Sequence, residues 1–156
     1  MNESARPAQH DDIDILVLLA EAVREEKIDD RGGSVLFDRE APQPPHDQRF
    51  AQALDDPRCF VFVGTIDDVV VGYATMTIET LPEGRPLGRI DELYVLPGAR
   101  GIGIGEALMD ALVATASEQG CRGLDALALP GDRSTKNFFE TFGLKARAIV
   151  VHRSLD

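Results

Sequence analysis

Arg89-Ile90-Asp91-Glu92-Leu93-Tyr94-Val95-Leu96-Pro97-Gly98-Ala99-Arg100-Gly101-Ile102-Gly103-Ile104-Gly105-Glu106-Ala107-Leu108-Met109 is the stretch on which the reading of this chain turns. Arg89 to Val95 has the composition of a strand, and Pro97 with Gly98 ends it. Glycines then recur at 101, 103 and 105. From about Ile104 to Gln119 the residues Ala107, Leu108, Ala111, Leu112 and Ala116 follow helical spacing, up to a closing Gly120. A strand, a glycine turn and a helix start make an anion site. Glycines let the backbone adopt positive φ and come close to a ligand, and the N–H groups of a first helical turn have no partner inside the helix. Together with the helix dipole they attract phosphate. The guanidinium of Arg100 can add a bidentate contact.

Spacing separates this turn from two other phosphate-binding turns. A Rossmann turn needs G-x-G-x-x-G with an acidic residue about 20 positions later, whereas the glycines here alternate at 101, 103 and 105. A P-loop needs Lys and then Ser or Thr after its last glycine, and Gly105 is followed by Glu106 and Ala107. Nucleoside triphosphate hydrolysis is not indicated. A glycine-rich turn that only reverses the chain remains the plain alternative.

Outward from this stretch, Asp11 to Lys27 carries Ile13, Leu16, Val17, Leu19, Ala20 and Val23 at spacings of three and four, an amphipathic helix. Ser4 to Ala8 suits a short edge strand, with Pro7 allowing pairing on one side only. Asp29 to Asp47, broken by Gly32, Gly33, Pro42, Pro44 and Pro45, reads as a long loop before a short helix over Asp47 to Leu54. Cys59 to Ile66 and Val69 to Ile78, joined by Asp67-Asp68, form a hairpin. Leu124 to Leu129 is expected as a strand, Ser134 to Phe142 as a helix ended by Gly143, and Ala146 to His152 as a last strand. This order describes one mixed α/β (α+β) domain over residues 1–156, its first half largely antiparallel.

Composition bounds the partners. With 16 Lys plus Arg against 27 Asp plus Glu, the net charge is −11, which disfavours nonspecific binding to nucleic acid or anionic membranes. No apolar run reaches the roughly 18 residues of a membrane span. The polar start, Met1 to Gln9, lacks a signal-type apolar core, so a cytoplasmic protein is expected. Cys59 and Cys121 lie in apolar segments, and His10, His46 and His152 are scattered without ligand spacing, so no metal centre is predicted.

The run Leu93-Tyr94-Val95-Leu96-Pro97-Gly98-Ala99-Arg100-Gly101-Ile102-Gly103-Ile104-Gly105 resembles the signature of the GNAT superfamily of acyl-coenzyme A dependent N-acyltransferases, R/Q-x-x-G-x-G/A after a strand of the form L-x-V-x-P. Thr135-Lys136-Asn137-Phe138-Phe139-Glu140-Thr141-Phe142-Gly143-Leu144 is similar to the family's more degenerate second motif, A-x-x-F-Y-E-K-x-G-F. Element order agrees along the whole chain. The resemblance implies a mostly antiparallel sheet of six or seven strands flanked by about four helices, with a splayed central pair and acetyl-coenzyme A in the splay. It puts the pantetheine arm on main chain at Leu93 and Val95, beside Tyr94. The pyrophosphate would sit on the amides of Ile102, Gly103, Ile104 and Gly105, next to Arg100 and Gly101, with Phe139 also along the coenzyme.

Acyl transfer to an amine makes three demands. An alkylammonium has a pKa of about 10.4, so its proton must be removed or relayed. Asp91 and Glu92 are the candidate catalytic carboxylates. Successive strand side chains oppose one another, so at most one is expected to face the cleft. Asp91 is favoured because the resemblance puts the carboxylates of some relatives there; a bulge would reverse the choice, and an ordinary structural acid fits either position. The developing oxyanion needs a preorganised donor, which a main-chain N–H around Leu93 to Val95 can be. The leaving thiolate benefits from a proton. Many relatives use a tyrosine for this where Phe139 stands here, and Tyr73 and Tyr94 are the possible substitutes. Asp132 is a second departure, where many relatives have an asparagine.

In this fold the acceptor enters over helix one and the following loop, here lined by Glu25, Glu26, Asp29, Asp30, Asp38 and Glu40. Such a rim suits a cationic amine, small or on a peptide, and equally an ordinary solvated surface. The alternative function is a coenzyme-binding sensor that has lost the chemistry, motivated by Phe139. Relatives often pair into dimers through their last strands, and the apolar run Ala148 to Val151 is compatible with a homodimer.

Overall fold

The computed structural model describes residues 1–156. Strand β1 (Glu3–Pro7) leads into helix α1 (Ile13–Lys27), the short turn α2 (Gly33–Val35) and helix α3 (His46–Asp55). The hairpin β2 (Cys59–Ile66) and β3 (Val69–Glu79) follows, then β4 (Leu87–Val95), α4 (Ile104–Glu118), β5 (Gly123–Asp125) and α5 (Arg133–Thr141). The sheet runs in the order β1-β2-β3-β4-β5. Its first three pairings are antiparallel and β4–β5 is parallel.

The hairpin turns where expected, on two aspartates that both take positive φ, Asp67 at 47° and Asp68 at 69°. Asp tolerates that conformation because its short polar side chain bonds locally, and here the Asp67 carboxylate accepts from the N–H of Asn2 at 2.8 Å, tying the turn to the chain before β1.

Strand alternation sends side chains to two cores. Phe62, Ala74, Met76 and Ile90 face α4, which buries Ile104, Leu108, Met109 and Leu112 on them. Val61, Val63, Tyr73 and Tyr94 face the other way, under Leu16 and Leu19 of α1 and Phe50 of α3. Apolar side chains on both faces explain why β2 and β3 read as near-continuous apolar runs. Gly64 permits the close approach of α4, since a Cβ there would lie 2.5 Å from Ile104 Cγ2.

The fold class agrees with the reading of the sequence, with five strands rather than six or seven. The strand expected at Leu124 to Leu129 is regular only to Asp125, and the one expected at Ala146 to His152 pairs with nothing and lies exposed. A β-branched run becomes a strand only beside a partner edge. The loop expected over Asp29 to Asp47 contains α2 and a wider helical turn, Leu36–Glu40. No helix is long and apolar enough to cross a membrane.

β4 and β5 pair at Leu87↔Gly123, Gly88↔Leu124 and Arg89↔Asp125, and there the pairing stops. From Ile90 to Val95, β4 is bonded only to β3. This parting of β4 from the edge strand β5 opens the gap beside which the candidate site lies.

At the entry to α1, Asp12 accepts two bonds from Arg6 of β1, at 2.8 and 3.0 Å, and one from the N–H of Gln9. The Arg6 hydrogen bonds, helped by Gln9 and opposed by burial, hold its carboxyl below the usual aspartate value. A folded-state value below the unfolded one gives stability that is complete above the unfolded value, about 3.9, and lost as pH falls through the folded value. Asp12→Asn should therefore flatten the acid side of a stability–pH profile measured by denaturant melts while lowering stability at pH 7.

Candidate active site

The turn after β4 is built as its glycines require. Gly101 and Gly103 have φ of 81° and 101°, and Gly103 caps α4. The first intrahelical bond is donated by Ala107 N–H to Gly103 carbonyl at 3.0 Å. None of the main-chain N–H groups from Gly101 through Glu106 donates a hydrogen bond. They line one glycine turn and one helix start, where the dipole adds partial positive charge. The ring of Phe138 on α5 packs against this first turn, 3.1 Å from where a Cβ of Gly105 would lie.

Arg100 is differently employed from the reading of the sequence. Its Nε donates to Val95 carbonyl at 2.8 Å and its Nη2 to both oxygens of Glu26 at 2.9 and 3.0 Å, with the guanidinium 5.5 Å from the centre of the Tyr94 ring. It fastens the end of β4 to the end of α1. Glu26, expected on an acidic acceptor rim, is thereby paired.

Beside the gap, Leu96 N–H donates to Val71 carbonyl of β3 at 2.9 Å. Backbone direction alternates along a strand, so Leu93 and Val95 turn their N–H groups away from β3, and β5 has already parted from β4 at that level.

The two carboxylates lie at a β-bulge. Thr75 pairs with Glu92 and Met76 with Ile90, which leaves Asp91 as the extra residue. The expectation that only one of Asp91 and Glu92 can share a face with the site is overturned by this bulge. Thr77 Oγ1 donates to Asp91 at 2.6 Å and Thr75 Oγ1 to Glu92 at 2.7 Å, and both acids line a cavity of about 260 Å³ roofed by Pro42, Phe50 and Ala53. Their surroundings differ. Glu92 accepts two bonds from Arg49 (2.7 and 3.1 Å), one from Tyr73 hydroxyl (2.7 Å) and one from Thr75, so each oxygen already has two donors. Asp91 accepts from Thr77 and from Arg89 Nε at 2.7 Å, one donor per oxygen, and keeps lone pairs free.

Arg49 is held in turn. It stacks 4.1 Å above the Phe50 ring, and its Nε donates to His46 Nδ1 at 2.8 Å. Burial, then the Arg49 charge, lowers the His46 pKa, consistent with a neutral ring that accepts. Tyr73 is fully buried, and burial, then the charge of Glu92, pushes its phenol well above the usual tyrosine value. Its proton is committed to Glu92. Tyr94 is also buried, and Phe139 sits in the α4 core with no hydroxyl to offer. Asp132 caps α5 through Thr135 and pairs with Lys27 at 2.6 Å.

Arg49, Thr75 and Thr77 escaped the reading of the sequence, and Tyr73, named there as a possible proton donor to the thiolate, instead donates to Glu92. Tyr73, Thr75 and Thr77 do share a period of two, but only the β3–β4 register shows that they face the carboxylates.

Residues 20–144 match the Acetyltransferase (GNAT) family, and the chain belongs to it. An uncharacterised N-acetyltransferase of Mycobacterium bovis is 38% identical over 72 residues, 46% of this chain and 44% of that protein; one from Mycobacterium tuberculosis strain H37Rv matches equally. The chain thus aligns with less than half the length of the curated relatives it matches. Among solved structures, the BH1408 protein of Bacillus halodurans superposes with a TM-score of 0.81 at 20% identity, over 97% of this chain and 99% of that one. The AAC(6')-Iy structure in complex with a bisubstrate analog, CoA-S-monomethyl-acetylneamine, does so at 0.77 and 16%, over 100% and 99%. A ribosomal-protein-alanine N-acetyltransferase of Brucella melitensis biovar Abortus 2308 gives 0.71 and 20%, over 98% and 100%. At these identities the superpositions speak for the fold.

The Arg49–Glu92 pair is largely buried, with side chains 15% and 11% exposed. Arg49→Ala strands a buried carboxylate and should cost about 3–5 kcal/mol, read as a fall in denaturant midpoint; Arg49→Met with Glu92→Leu should recover most of that loss.

Proposed function

We propose that this chain moves the acetyl group of acetyl-coenzyme A to a primary amine, small or on a peptide, by direct attack in a ternary complex. The observation that carries the reading is the set of undonated N–H groups from Gly101 through Glu106 beside a gap between β4 and β5. Unpaired donors converging at a helix start fit a pyrophosphate, and the N–H groups of Leu93 and Val95 fit an extended amide-bearing arm running down the gap. The coenzyme supplies a thioester; the amine nitrogen forms the new C–N bond as the C–S bond breaks.

The chain's own residues then have distinct tasks. Asp91, with lone pairs free, takes the amine proton directly or through a water. Glu92, saturated by Arg49, Tyr73 and Thr75, fixes the bulge that presents Asp91. A main-chain N–H at Leu93 or Val95 donates to the acyl oxygen. Phe139 has no proton to give, so the thiolate takes its proton from solvent; at a thiol pKa of about 8.5 it is a tolerable leaving group. The cavity of about 260 Å³ over Asp91 suits the end of a slender amine. That AAC(6')-Iy is described with a CoA-linked acetylneamine supports an amine acceptor of this general kind.

Calorimetry with acetyl-coenzyme A should give a dissociation constant well below millimolar, and phosphopantetheine, lacking the pyrophosphate and nucleotide, should bind at least about tenfold more weakly. Millimolar or absent binding of the whole coenzyme removes the reading. Thiol release across an amine panel should show turnover, whereas tight binding with no acceptor consumed identifies a coenzyme sensor instead. Asp91→Asn should depress turnover more at pH 7 than at pH 9, where free amine is more plentiful; equal losses at both pH values assign Asp91 a structural role.

A further inference from the structure

Arg49 is held at three of its nitrogens, and one of the three partners can titrate. Nη1 and Nη2 donate to Glu92 at 3.1 and 2.7 Å, and Nε donates to Nδ1 of the half-buried His46 at 2.8 Å. A guanidinium carries donors only and stays charged, so Nδ1 of His46 must keep its lone pair and the ring proton sits on Nε2. With its side chain largely buried, Arg49 would have little water to replace that acceptor. Arg49 in turn grips the residue next to the bulge. Glu92 takes two of its four donors from Arg49, and the other two, Tyr73 and Thr75, both come from β3. Asp91 is the extra residue of β4 at that point, so its direction follows from how Glu92 is anchored.

We propose that His46 is a positioning residue for Asp91 that works only as the neutral ring: a proton on Nδ1 removes the acceptor of Arg49, loosens Arg49 from Glu92 and slackens the bulge that presents Asp91.

With that proton in place, an imidazolium and a guanidinium would face each other N–H to N–H across 2.8 Å, which neither charge nor hydrogen bonding permits. The surrounding groups do not offset this. On α3 itself, Asp47 is exposed and accepts from Gln48 N–H at 2.9 Å. α3 packs on α1 and β2. α1 brings Glu21 and Arg24, one of each sign, and the only titratable side chain of β2 is Cys59. Glu92 of β4 is already paired with Arg49. Burial first, and the Arg49 charge second, hold the ring below the usual histidine value of about 6.5, so it is neutral at pH 7 and charges only as pH falls. Turnover then responds to acidification more steeply than protonation of the amine alone makes it. The effect on turnover rests on the acyl-transfer reading; the coupling of the side chains does not.

Nuclear magnetic resonance on the full chain at pH 8 should show the His46 ring protonated on Nε2 and Arg49 Nε–H in slow exchange. On acidification the Arg49 signal should be lost and the amides of Asp91 and Glu92 should shift, all with the midpoint of His46. His46→Asn places an amide oxygen near the position of Nδ1 and cannot titrate. Dividing the turnover of the parent by that of His46→Asn, with the same amine, cancels the amine's own titration. The ratio should be level above the His46 midpoint and fall about tenfold per pH unit below it, as a single group required without its proton dictates. His46→Leu, which offers no acceptor, should be depressed at every pH. A ring protonated on Nδ1 at pH 8, an Arg49 Nε–H or Asp91 amide indifferent to the His46 titration, a flat ratio, or full turnover in His46→Leu would each overturn the proposal. A chain that consumes no amine fails the acyl-transfer reading, and the resonance measurements still decide whether His46 controls Arg49 and the bulge.

Discussion

A folded chain rarely leaves backbone donors without acceptors, because each unpaired group that is kept from water costs free energy. In this protein a run of such groups lies at the turn before α4. β4 loses its second neighbour after Arg89, and the turn that follows points the N–H groups of Gly101 through Glu106 at no acceptor in the chain. The left-handed φ values of Gly101 and Gly103 enforce the arrangement, since a side chain in that conformation is strained. The two cores on either face of the sheet hold the parted strands and the start of α4 in register with one another. Fold and function meet in that shared constraint.

The net charge of −11 opposes any anionic ligand at long range, yet the acids nearest the turn are largely spoken for. Glu26 is held by Arg100, and Asp132 by Lys27. These ion pairs join the end of α1 to the end of β4 and to the start of α5, so they brace the turn while neutralising the carboxylates around it. Charges farther than about 8–10 Å are screened at physiological salt. What remains at the turn is the local field of peptide dipoles, which favours an anion. Glu3, whose side chain lies near Gly103, and Glu106, in the first turn of α4, are the exceptions, and no basic group pairs with either.

Much of this was legible in residue order. The hairpin with its two-aspartate turn, the amphipathic α1 and the glycine turn feeding α4 follow from local chemistry, and each lies where its spacing puts it. The β4 bulge was not legible, because it arises from the register of β4 against β3 rather than from any residue of β4. Without it Asp91 and Glu92 oppose each other; with it they share a face. The roles of Arg49 and Tyr73 are long-range for the same reason: each meets Glu92 across the fold. The run Ala146 to His152 has strand composition but no strand within one copy, since propensity supplies no partner. The pairing of Arg100 with Glu26 was likewise not legible, since it joins residues 74 positions apart.

The account rests on peptide N–H groups gripping the phosphates of an acyl carrier, and nuclear magnetic resonance reports on those groups one at a time. In a titration of the ¹⁵N-labelled chain with coenzyme A, the amides of Gly101 through Glu106 should shift downfield as they acquire acceptors and become protected from hydrogen exchange, ahead of any change in α1 or α3. Amides in this turn that keep their free positions and exchange rates while the coenzyme binds elsewhere, or does not bind, would contradict it.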